Sequence, residues 1–148
     1  MIKNYLTYFI ILALFVHIGC NKKKVSTAYF TGQIVNPKEK QLHLYKKNKE
    51  IKNVVLNNEH NFHIKLDSVK GDLYTFKHGN ELQYIYLSPN DSLVMRLNTW
   101  DFDESLIFSG KGAIKNNFLM HLFLENEKQE KLFYSYSTLN EEDFLKKT

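Results

Sequence analysis

The sequence predicts a mainly β protein, its antiparallel strands folded as a sandwich or partly closed barrel and followed by one or two C-terminal helices. Three observations predict it. Short apolar runs recur from Ala28 to Gly110 with no competing helical period, turn residues punctuate them, and the pattern changes to a helical one after Gly110. The strands are expected at Tyr29 to Val35, Gln41 to Lys46, Ile51 to Leu56, Asn61 to Leu66, Leu73 to His78, Leu82 to Leu87, Ser92 to Asn98 and Ser105 to Phe108. QLHLYK, NFHIKL and SLVMRL alternate apolar with polar residues, so one face of each is buried and the other is wet. Asn36-Pro37, Asn57-Asn58, Lys70-Gly71-Asp72, Gly79-Asn80 and Pro89-Asn90-Asp91 supply the turns. Strands at this spacing indicate a sandwich or barrel.

Beyond Gly110, Gly112 is a cap and Ile114, Phe118 and Leu122 fall near one face, joined by Leu119 and Phe123, which predicts a helix from Ala113 to Lys128. Leu139 to Lys147 forms a second amphipathic piece. It opens with Glu141, Glu142 and Asp143 and closes with Lys146 and Lys147, which suits the helix dipole. Its Leu139, Phe144 and Leu145 need a surface to pack on: either a further domain or the sandwich itself.

The other end of the chain reads as an export signal. One cation, Lys3, precedes the almost wholly apolar Leu6 to Ile18. That run is shorter than the roughly 20 residues a membrane-spanning helix needs. It stops at Gly19-Cys20, which resembles the lipobox cut by lipoprotein signal peptidase; His17 stands where that motif usually has Leu. The resemblance implies that residues 1–19 are removed and that Cys20 becomes the lipidated first residue, with 20–28 a tether. Cys20 is the only cysteine, so neither an intramolecular disulfide nor a CxxC pair is available. Asn21 and the lysines after it lack the acidic residues that resemble a surface-export signal, so a periplasm-facing protein in the cell envelope is expected.

The net charge of +4 comes almost entirely from lysines, Arg96 being the sole arginine. Nucleic-acid binding would need clustered Arg and Lys interleaved with stacking aromatics, so no nucleic-acid partner is expected. The tight run Lys22-Lys23-Lys24 sits beside Cys20, where it either meets anionic headgroups or is simply a solvated linker.

No catalytic set is legible. His60 and His63 flank Asn61-Phe62, and residues three apart on a strand point to opposite faces, so no metal is expected there. Asp101, Asp103 and Glu104 lack the glycine and spaced oxygens of a calcium loop. Gly110-Lys111-Gly112 lacks the earlier glycine and following Ser or Thr of a phosphate loop, and reads instead as the break between sheet and helix. No G-x-S-x-G elbow is present. Tyr84, Tyr86, Phe76 and Trp100 either line a ligand groove or serve as core and cross-strand pairs. No cofactor is expected.

The succession YFTGQIVNP, VVLNNEHNF, LYTFKHGNELQYIYLSPNDSLVMRL, WDFDESLIFSGKGAIKNNFL and EEDFL resembles the amino-terminal domain of TlpA-like thiol-disulfide oxidoreductases of Bacteroidota-type envelopes. In that family an F-x-G-x-I strand, an L-x-P-G-D-S-L turn and an F-S-G-x-G-A-x-x-N-N-x-L junction follow in this order. The resemblance runs from Tyr29 to about Leu145. Asn90 stands where the family usually has Gly, and Asn tolerates left-handed backbone angles. The resemblance implies an immunoglobulin-like β-sandwich over 29–110 and a helical extension over 111–148 that leads toward a catalytic domain. That domain's CxxC is absent here, so oxidoreductase activity does not carry over.

Two functions stay open. One is a non-catalytic accessory or interaction domain of a lipid-anchored redox protein, partnered by a thioredoxin-like domain or another envelope protein. The other is an autonomous lipoprotein whose sandwich binds a small ligand, a glycan or a protein. Asp67-Ser68-Val69 and Asp91-Ser92-Leu93 resemble the D-S/T-aliphatic sites of O-linked glycans in such periplasms, which makes Ser68 and Ser92 candidate modification sites.

Overall fold

A computed structural model of the chain describes residues 26–147. Cys20, the signal segment and the basic run lie outside the described residues.

Eight strands form two four-stranded sheets. The chain orders them as β1 (Ala28–Val35), β2 (Gln41–Lys46), β3 (Lys49–Val55), β4 (Asn61–Leu66), β5 (Asp72–His78), β6 (Glu81–Leu87), β7 (Ser92–Asn98) and β8 (Ile107–Lys111). A short helix α1 (Phe102–Ser105) precedes β8; a long helix α2 (Ala113–Ser137) and α3 (Glu141–Lys147) follow it. One sheet has the order β4-β1-β7-β8 and the other β3-β2-β5-β6. The fold is thus mainly β and sandwich-like, with helix after strand.

Alternation places the inward residues. Phe30 and Ile34 of β1, Ile64 of β4, and Leu93, Met95 and Leu97 of β7 are buried against Leu42 and Leu44 of β2, Phe76 of β5, and Ile85 and Leu87 of β6. Phe30 spans the gap between the sheets, its ring 5.9 Å from that of Phe76 and edge-on to Phe62 at 5.0 Å. Each such ring buries enough apolar surface to contribute roughly 1.5–3 kcal/mol. No buried side-chain nitrogen or oxygen among the described residues lacks a hydrogen-bond partner. The buried polar side chains of the described residues are therefore all paired.

Three details depart from expectation. Strands β1 and β7 run parallel, Phe30 opposite Leu93, while every other pair is antiparallel. Parallel neighbours require a crossover rather than a hairpin, and here the chain passes through the opposite sheet before returning as β7. Gly32 faces Met95 across this pair, where an added Cβ would collide with the Met95 carbonyl. The strand expected at Ser105 to Phe108 begins later, because Ser105 ends α1: its hydroxyl accepts from Asn98 N–H at 2.8 Å and donates to Asn98 C=O at 2.9 Å. Helix α2 runs on to Ser137 instead of stopping near Lys128, since neither Gly nor Pro interrupts it.

The turns follow residue chemistry. Asn90 has φ 63°, the left-handed value expected of an Asn in that turn, and Lys47 and Asn48 both have positive φ, as a two-residue hairpin between β2 and β3 requires.

Candidate functional site

The sheet-to-helix junction is where the described residues are most densely organised. Asp91, almost wholly buried, accepts from Ser88 N–H at 2.7 Å and pairs with the Lys115 ammonium, which also donates to Ser88 Oγ at 2.8 Å and lies over the Tyr86 ring. Gly112, at φ 103°, caps α2 directly against the Asp91 carboxylate. Asn116 and Asn117 act as extra strand residues. Asn116 accepts from Tyr86 N–H at 2.7 Å and donates to Tyr86 C=O at 2.9 Å, pairing the free edge of β6. Asn117 does the same for Phe108 of β8, at 2.9 and 2.8 Å. Since β6 and β8 are the edges of different sheets, two adjacent amides fasten one helix across the open side of the sandwich. They also cover main-chain groups that would otherwise invite another strand.

Turned away from this clamp, α2 carries an apolar stripe. Ile114, Phe118 and Leu122 are spaced by four residues and are 90%, 58% and 48% exposed. Gly110, Lys111, Gly112, Ala113, Lys115 and Phe118 line a shallow groove at its start. Leu132, about five turns on from Ile114, is exposed on the same side of the helix.

A second surface lies on the outer face of the β3-β2-β5-β6 sheet. Tyr45, Thr75 and Tyr84 stand in register on β2, β5 and β6, and His43, Lys77 and Leu82 form the neighbouring row. Tyr45, Asn48, Thr75, Lys77, Leu82 and Tyr84 border one cavity. The Tyr45 hydroxyl donates to Glu50 at 3.1 Å, and the same carboxylate lies 3.0 Å from His43 Nδ1. Burial, then the hydrogen bond to and charge of Glu50, push the Tyr45 phenol above its ordinary value.

The residues singled out in the sequence scatter over the fold. His60 sits in a turn at φ 62° and His63 on β4, where its ring meets Tyr29 at 5.7 Å; among the described residues no cluster could hold a metal. Asp101 opens α1, and Asp103 accepts from the buried Gln83 side chain at 3.0 Å. Burial raises the Asp103 carboxyl, opposed by that hydrogen bond and reinforced by Glu127, Glu104 and Glu81. Phe76 is core, Tyr86 is half-buried under Lys115, and Trp100 is exposed on a separate loop, so of those four aromatics only Tyr84 borders the cavity. Ser68, at φ 61°, and Ser92, at the start of β7, are both exposed. Gly110-Lys111-Gly112 ends β8 and caps α2. The roles of Asn116, Asn117 and Tyr45 were not legible; the one trace was the paired asparagine at a helix start.

No protein family, curated protein or solved structure matches the chain. Among the described residues no helix is long and apolar enough to cross a membrane.

Proposed function

We propose that the chain is a lipid-anchored, periplasm-facing envelope protein whose sandwich is a non-catalytic accessory domain, presenting α2 to a thioredoxin-like domain of a TlpA-like thiol-disulfide oxidoreductase. The observation that carries this reading is the contrast between a buried core whose polar side chains are paired and the bare stripe of Ile114, Phe118 and Leu122 on a helix fastened at its base by Asn116 and Asn117. Burial of such side chains stabilises by roughly 1.5–3 kcal/mol each, which favours a covering partner. The lipid is carried by Cys20. Growth with labelled fatty acid tests the anchor: the wild-type chain incorporates label and partitions into detergent, and Cys20→Ala does neither. A labelled alanine variant would refute it. Ser68 and Ser92 are O-glycosylation sites in this account, and an unmodified intact mass of the native protein would remove them.

A second reading, an autonomous lipoprotein whose sandwich binds a small ligand or glycan, is supported by a separate observation, the Tyr45-Thr75-Tyr84 row on the outer face of the β3-β2-β5-β6 sheet.

A further inference from the structure

We infer that the outer face of the β3-β2-β5-β6 sheet is a binding site for a pyranose sugar bearing a carboxylate, a uronic acid unit of a glycan, held between Tyr45 and Tyr84 with Lys77 on its acidic group. The inference rests on the ligand-binding reading and names the chemistry of its site.

The cross-strand register builds the shape. Tyr45 and Tyr84 flank the smaller Thr75, and strands in a sheet are about 4.8 Å apart, so the two tyrosines stand roughly 10 Å apart over a low floor. That width admits one flat six-membered ring. Tyr84 and Leu82 are each about half exposed and supply apolar surface for the C–H face of a sugar; the negative face of an aromatic ring favours such contacts.

The polar groups supply the rest. Thr75 Oγ1, the Asn48 amide, Tyr84 Oη and Lys77 Nζ all border the cavity, and none makes a side-chain hydrogen bond or ion pair among the described residues. Neutral donors and acceptors around an apolar wall suit hydroxyls on a ring rim. The cation selects charge: Lys77 is the charged group lining the cavity, while Glu50 lies beyond Tyr45, engaged by His43 and the Tyr45 hydroxyl. A peptide strand is a poorer occupant, because β5 is paired on both sides and offers no free ladder.

Calorimetric titration of the full chain in detergent tests this. The probes are oligosaccharides of galacturonate and of glucuronate, their neutral galactose and glucose counterparts, and tetraglutamate. The expected result is binding of a uronate oligosaccharide, with its neutral counterpart about tenfold weaker, and a loss of about tenfold in Tyr84→Ala and in Lys77→Gln. Ile107→Ser, exposed on β8 of the other sheet, leaves the affinity unchanged. Equal binding of neutral and acidic sugars refutes the uronate assignment but leaves a sugar-binding sandwich. Equal binding by tetraglutamate, unchanged affinity in Tyr84→Ala, or loss of binding in Ile107→Ser overturns the site. Binding of none of the sugars overturns the site, while the ligand-binding reading falls only if the sheet face binds no small molecule at all.

Discussion

Replacing Asn116 with alanine removes the clamp between α2 and the β6 edge while leaving the sandwich core untouched. Asn116 is completely buried and makes three hydrogen bonds: from Tyr86 N–H, to Tyr86 C=O, and to Gly112 C=O at 2.9 Å. Alanine leaves the Tyr86 pair without a partner in a part-buried place. A buried polar group stripped of its partner costs about 1–3 kcal/mol. Two such groups give about 2–6 kcal/mol, and water reaching the opened edge recovers some of it, so a loss of about 3 kcal/mol is expected. For a domain of this size that lowers Tm by roughly 10 °C. Urea unfolding followed by circular dichroism reads it as a lower midpoint at an unchanged slope. Leucine in place of alanine restores volume but not the amide, and should lose nearly as much. A loss in Asn116→Ala smaller than about 0.5 kcal/mol, the range of ordinary surface changes, would refute the clamp.

Three further outcomes follow from other contacts of the fold. Gly112→Ala forces a Cβ toward the Asp91 carboxylate at a left-handed φ and should cost about 1–3 kcal/mol in urea unfolding; an unchanged midpoint would contradict the strain. His78 is fully buried, with Nδ1 on the Gln41 carbonyl at 2.8 Å and Nε2 accepting from Lys38 N–H at 3.0 Å, so its partners fix the neutral Nδ1–H tautomer. His78→Leu orphans both main-chain groups and should lose about 2–4 kcal/mol, with amide exchange at Lys38 rising first; retained protection there would count against the role. Asp103, its carboxyl raised by burial, binds a proton more readily folded than unfolded, so its contribution falls as pH rises from the ordinary carboxylate range through its folded value. Asp103→Asn keeps the acceptor for Gln83 and should be the more stable form at neutral pH, the difference vanishing below pH about 3; a variant less stable at pH 7 would reverse the sign of the argument.

The sandwich was legible because its strands bury one face each, and period-two alternation in QLHLYK, NFHIKL and SLVMRL records that burial directly; all three strands fall at the expected bounds. The parallel pairing of β1 with β7 was not legible, since no local pattern states which distant strand becomes a neighbour. Ser105 misled for a related reason: its hydroxyl is used by Asn98, seven residues earlier, to close a turn that β-propensity alone does not anticipate. The left-handed Asn90 was foreseen from residue type, whereas Lys47 at φ 48° was not, lysine carrying no such signal. The stripe on α2 was visible as Ile114, Phe118 and Leu122, but sequence could not say which side of the helix meets the sheets. That choice is made by Asn116 and Asn117, which face inward with Met120 and leave Ile114, Phe118 and Leu122 outside. Tyr45 and Tyr84 belong together only through the registers of β2, β5 and β6.

The central claim, that α2 presents its apolar stripe to a thioredoxin-like domain, is tested most directly by photo-crosslinking in intact cells of the source. A photoreactive residue at Phe118, with a second version at exposed Val55 as control, is irradiated and the joined peptides are identified by mass spectrometry. The account predicts a crosslink from position 118, and none from position 55, to a domain that carries a CxxC pair, on this polypeptide or another. A crosslink from 118 only to proteins lacking such a pair, or none from 118 at all, would contradict it.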